Sequence, residues 1–96
     1  MDYSKSRWRK KREYILKKDR HVDQYLKRYG IMREANTVHH IYPAEAYPEY
    51  AYSDWNLISV SQSTHNKLEN RNTGELTTAG EELKRNTVPG KKWRTR

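Results

Sequence analysis

Apolar side chains recur along this chain in short, separated patches whose period changes from helical to extended and back. From about Ser4 to Lys18, Trp8, Ile15 and Leu16 mark one stripe of a helix whose other positions are mostly charged, with Asp2 or Ser4 as its N-cap. Val22, Tyr25, Leu26 and Tyr29 fall at i, i+3, i+4 and i+7, so a short second helix is predicted, closed by Gly30. Thr37 to Tyr42 reads as a strand halted by Pro43. Residues 44–54 carry a second proline and tyrosines without a period, and read as a loop. Asn56 to Val60 is apolar and β-branched enough for a second strand paired with the first. Ser61 or Ser63 caps a third helix through His65 and Leu68 to about Asn70, and Asn72, Thr73 and Gly74 then break the chain. A last helix, about Thr78 to Arg85, is opened by Thr77 or Thr78, with Glu81 in capping-box spacing to Thr78. The tail VPGKKWRTR has little to bury and should be mobile when free. No internal repeat is present.

Composition qualifies this picture. Leu, Ile and Val together number 14 of 96 residues and Phe is absent, which with a net charge of +8 would suit a disordered chain. Eight tyrosines and three tryptophans argue otherwise, because they bury large areas while keeping their polar tips wet. A single small domain with a thin, aromatic-rich core is expected, burying roughly 60 to 65% of its unfolded surface. Without cysteine there are neither disulfides nor thiolate ligands. No apolar run approaches the roughly 18 residues needed to cross a bilayer, and no signal-peptide pattern follows the basic N-terminus. A soluble protein of the cytoplasm, without a membrane partner, is expected.

Charge is segregated. Residues 1–33 hold 12 Lys and Arg against 4 Asp and Glu, residues 34–83 hold 2 against 8, and residues 84–96 hold 6 against none. Two basic arms that can attract a polyanion thus bracket an acidic middle that suits a cation. Of the four histidines, three lie in that middle.

In VHHIYP, His39 and His40 are neighbours in an extended run, so their side chains leave opposite faces and two separate tasks are expected. His65 and Glu69 stand four apart, which places both on one face of the predicted third helix, in reach of a single ion. With that helix across the hairpin, one of the paired histidines becomes a further ligand. The other stays uncoordinated, and a neutral imidazole is the commonest base for taking a proton from water near neutral pH.

These elements resemble the HNH endonucleases, whose core is a ββα-metal (His-Me) finger. The resemblance rests on VHHIYP, DWNLISV and STHNK, with His40, Asn56 and His65 spaced by 16 and 9 residues. SRWRKKREYILKKD before this core and ELTTAGEEL after it look like the flanks of small phage-encoded HNH proteins, so the likeness covers roughly residues 4 to 90. It implies an α+β domain over residues 1–96: a basic helical arm at about 4–29, the ββα core at about 37–70, and a C-terminal helix with basic tail at about 77–96. By position, it implies that His40 is the general base, that His39 and His65 ligate a divalent metal, and that Asn56 braces the hairpin backbone. Hydrolysis of a DNA phosphodiester to a 3′-hydroxyl and a 5′-phosphate is implied, as is work beside a phage terminase large subunit. Mg²⁺ or Mn²⁺ is the foremost ion, with Ni²⁺ or Zn²⁺ as alternatives.

Relatives in that family commonly carry two CxxC pairs around a structural zinc. The corresponding positions here are Asp23, Leu26, Ser61 and Thr64, so no structural zinc is expected, and packing by Val22, Leu26 and Tyr29 is expected to replace it. Glu69 stands where close relatives often show histidine, and a carboxylate there suits a hard ion. Arg7, Arg9, Lys10, Lys11 and Arg12, together with the basic tail, are the expected phosphate contacts, which carry no sequence information, so cleavage should be weakly specific. The rival class is a non-catalytic nucleic-acid-binding or assembly protein that keeps the metal hairpin as a staple.

Overall fold

The computed structural model describes residues 5–93, so the expected caps Asp2 and Ser4 and the end of the tail lie outside the described residues. Helix α1 spans Lys5–Lys18 and the single-turn α2 spans Gln24–Lys27. Strands β1 (Thr37–His40) and β2 (Leu57–Val60) form an antiparallel ribbon, and α3 (Gln62–Leu68) and α4 (Thr78–Arg85) follow.

The ribbon is paired in the register Thr37↔Val60, Val38↔Ser59, His39↔Ile58 and His40↔Leu57. Side chains alternate across it, so each face has its own core. On one face Val38 and Leu57 pack with Ile15, Leu16 and Ala35 under α1, with Trp8 against them. On the other, Ile58 and Val60 pack with Ile41, Leu68, Leu83 and Trp93. The expected mobility of the tail is therefore corrected at Trp93, which is only 6% exposed. An indole in an otherwise small core removes too much apolar area from water to stay loose.

Both strands are shorter than their apolar patterns suggested. Asn56 closes a 3₁₀ turn, Asp54–Asn56, and a second such turn, Pro48–Tyr50, lies in the segment expected to be plain loop. Thr77 caps α4 by accepting from the Gly80 N–H, so the expected Thr78–Glu81 capping box is not formed. Gly80 lets α4 approach α3, since a Cβ there would lie 2.1 Å from the Leu68 carbonyl oxygen.

The positions where the resemblance places CxxC pairs carry hydrogen bonds, and the expected apolar packing is corrected at Tyr29. Tyr29 is 63% exposed. The buried Asp23 carboxylate instead accepts from the backbone N–H groups of Leu26 at 2.9 Å and Ser61 at 2.8 Å. Ser61 Oγ in turn accepts from Thr64 N at 3.2 Å and lies 3.0 Å from Thr64 Oγ1. Asp19 does similar work one pair earlier, accepting from Ser59 N at 3.0 Å. Two carboxylates thus satisfy N–H groups on the outer edge of β2, where an open ribbon would otherwise leave donors exposed to chance pairing.

Candidate active site

His39 leaves the ribbon on the α3 side and is 1% exposed. Its ring meets that of His65 edge to face, with centroids 5.5 Å apart. Among the described residues, neither His39 ring nitrogen has a hydrogen-bond partner. A buried polar atom left so costs roughly 1 to 3 kcal/mol. Burial, then the neighbouring His65 and His40, lowers the His39 pKa to about 3, so the ring is neutral and a lone pair faces the interior.

His65 lies within α3, and its Nε2 is 3.0 Å from a Glu69 carboxylate oxygen. The helix, however, ends at Leu68. Glu69 is its C-cap, with extended backbone, and bridges to Leu76. The expected shared helix face is therefore corrected: the pair meets because the chain turns, with Glu69 N donating to the His65 carbonyl at 2.9 Å. Two imidazoles with basic nitrogens and one carboxylate are a donor set that suits a divalent first-row ion, and the unpartnered His39 nitrogens fit such a group. Among the described residues no three His, Asp or Glu side chains converge as a ready-made cluster. A complete shell would thus draw on water or on substrate oxygens.

His40 leaves the opposite face, at the end of β1, and is half-buried. Its ring stacks on Trp8 of α1, with centroids 4.9 Å apart and planes 20° from parallel. Nε2 lies 3.0 Å from the Ala51 carbonyl oxygen. A carbonyl only accepts, so Nε2 carries the proton and Nδ1 carries the lone pair. Burial outweighs the Ala51 hydrogen bond and the Glu69 charge, and the His40 pKa falls below its ordinary value.

Asn56 is fully buried and ties the loop between the strands. Its Oδ1 accepts from Tyr42 N at 2.7 Å, while Nδ2 donates to the carbonyls of Tyr42 at 3.0 Å and Tyr50 at 3.1 Å. Ala51 follows Tyr50 directly, so the same amide steadies the carbonyl that holds His40.

Arg7, Lys10, Lys11 and Tyr14 share one face of α1 and, with Tyr52 and Asp54, line an open cavity of about 540 Å³. The Arg7 guanidinium lies 3.8 Å over the Tyr52 ring. Lys11 is paired with Asp54, whose carboxyl it holds below the usual range, with Lys18 3.7 Å from the other oxygen. Arg12 donates to the Asn36 carbonyl at 2.7 Å, and Arg9 is exposed. Trp8 and Ala51 were not singled out as site residues by the sequence. Trp8 carried only the signal of an apolar stripe, and a backbone carbonyl carries none.

A two-stranded ribbon with a helix across it, paired histidines on its first strand, an asparagine ahead of its second and a histidine on its helix is the fold of an HNH endonuclease. This chain has that fold. It is similar to a solved structure, the HNH endonuclease of the deep-sea thermophilic bacteriophage GVE2 with manganese ion, with a TM-score of 0.63 and 28% sequence identity over 67% of this chain and 70% of that one. The likeness supports a nuclease in general terms. No protein-family model matches the chain, and no curated protein matches its sequence.

Proposed function

We propose that the protein is a divalent-metal-dependent DNA endonuclease of the HNH type, with His40 as general base and His39 and His65 as metal ligands. The observation that carries this reading is the division of labour between neighbouring histidines. The His39 nitrogens lack any protein partner beside His65, while His40 is held on the other face with Nδ1 as its basic atom. A pure staple has no use for the second arrangement.

In the proposed reaction His40 Nδ1 takes a proton from water as the oxygen attacks phosphorus, and the P–O3′ bond breaks in line; the departing 3′-oxygen takes a proton from solvent water, leaving a 3′-hydroxyl and a 5′-phosphate. A divalent ion held by His39 and His65 supplies Lewis-acid stabilisation of charge on the phosphoryl and leaving oxygens. Glu69 orients the His65 ring through Nε2, or joins the ligands when that contact opens. Asn56 keeps the loop, and through it the Ala51 carbonyl, in register with His40. Arg7, Lys10 and the neighbouring cations of α1 hold phosphates, so binding weakens with salt by roughly 0.9 log units per contact for each log unit. Weak sequence preference follows, because contacts to phosphate carry no sequence information. The resemblance to small phage-encoded HNH proteins makes a terminase large subunit a candidate partner.

The test is supercoiled plasmid incubated with Mg²⁺, Mn²⁺ or Ni²⁺, with EDTA and His40→Ala as controls. Metal-dependent nicking that is lost in His40→Ala supports the reading. Absence of nicking with every ion would favour the non-catalytic nucleic-acid-binding alternative.

A further inference from the structure

We infer that Trp8 is a positioning residue for the His40 imidazole, setting the plane in which Nδ1 presents its lone pair; this rests on the reading of His40 as the base. Among the described residues, three constraints act on that ring. The strand fixes its Cα, and the Ala51 carbonyl fixes one atom, Nε2, and with it the tautomer. The Ala51 bond by itself would let the ring rock, because the χ2 torsion of histidine has broad wells. The stacked indole, 4.9 Å away and 20° from parallel, removes that freedom.

Trp8 is itself anchored on two sides. It packs against the Ile15, Leu16, Val38 and Leu57 cluster, and Leu57 is the cross-strand partner of His40. Tyr52 meets it edge-on at 6.1 Å and 68°, with the Arg7 guanidinium over the other ring. The stack therefore runs from an exposed cation on the proposed phosphate-binding face, through two aromatic rings, to the base. Among the described residues the indole meets His40 and Tyr52 but neither the His39 nor the His65 ring, so its loss should alter turnover more than ion binding. An imidazole some tens of degrees out of plane would miss the attacking water.

The experiment compares Trp8→Leu and Trp8→Phe with the full-length wild type, by cleavage kinetics on a duplex oligonucleotide with Mn²⁺, by Mn²⁺ titration, and by NMR of the His40 Cδ2–H and Cε1–H. The wild type should show His40 ring protons shifted upfield by the indole, a shift lost in Trp8→Leu and partly kept in Trp8→Phe. In Trp8→Leu kcat should fall roughly 10- to 100-fold with KM and Mn²⁺ affinity within about twofold, and Trp8→Phe should recover to within about threefold of wild type. An unchanged kcat in Trp8→Leu, a Trp8→Phe protein as slow as Trp8→Leu, or the absence of upfield shifts in the wild type would each overturn the inference. If the upfield shifts are present but the wild type cleaves nothing, the hydrolytic reading fails, and Trp8 is a packing contact alone.

Discussion

The His39 and His65 rings meet edge to face at 5.5 Å although one leaves a strand and the other a helix, and among the described residues neither nitrogen of the first has a hydrogen-bond partner. Their meeting predicts where an ion binds. Mn²⁺ at about 100 times its Kd should stabilise the wild type by about 2.7 kcal/mol. For a domain of this size that is on the order of 10 °C in Tm. Differential scanning fluorimetry with Mn²⁺ and with EDTA measures it. His39→Ala and His65→Ala should each lose the increment, and its survival in both would place the ion elsewhere.

Acid should destabilise the metal-free protein through the same ring. Burial lowers the His39 pKa from 6.5 to about 3, and lowers that of His40 as well, so between these values the unfolded chain binds more protons than the folded one. The contribution is complete above the unfolded value and declines as pH falls through the window toward about 3. From pH 7 to pH 5 the loss attributable to His39 is about 2 kcal/mol. Urea titrations of EDTA-treated wild type and His39→Leu check this, and the variant should show a flatter profile.

Asn56→Ala should cost about 2 to 4 kcal/mol, because the half-buried Tyr42 N–H and the Tyr42 and Tyr50 carbonyls all lose this partner. Asn56→Asp should recover only part, since a carboxylate accepts from Tyr42 N but donates to neither carbonyl. Chemical denaturation curves rank the three proteins. Equal stability for Asn56→Ala and wild type would show that the loop holds itself.

Asp23→Ala tests the hydrogen-bonded replacement for a zinc site. It strands the N–H groups of Leu26 and Ser61 in a buried place, and should destabilise by roughly 2 to 4 kcal/mol. Hydrogen exchange should quicken at the Ser61 amide, next to β2. Protection unchanged at that amide would mean that the carboxylate contributes little.

Gly80→Ala should be among the most damaging single-methyl additions, at roughly 2 to 4 kcal/mol, because the new Cβ meets backbone rather than a flexible side chain. Since the clash is with Leu68, next to Glu69, ion affinity should fall with it. A thermal melt and the Mn²⁺ titration together report both effects.

Several elements were legible because they depend on neighbours in sequence. The α1 stripe, the Thr77 and Ser61 caps and the assignment of His39 and His40 to opposite faces follow from local periodicity and side-chain chemistry alone. The Glu69 geometry was not, because helix termination at Leu68 depends on the bridge to Leu76 and on the close approach that Gly80 permits. Nor was the burial of Trp93, which shares a core cluster with Ile41 just after β1 and with side chains from β2, α3 and α4.

By itself, the sequence determined the order of strand, loop, strand and helix, the residue types that reach the site, and a charge pattern suited to a polyanion. Only the tertiary structure decided that Asp23 bonds across to Ser61, that Trp8 lies on His40, and that Ala51 offers its carbonyl to that ring. The reason is physical. Periodicity and capping act within one element, whereas which groups lose their water and must find partners is settled only when distant elements close on one another.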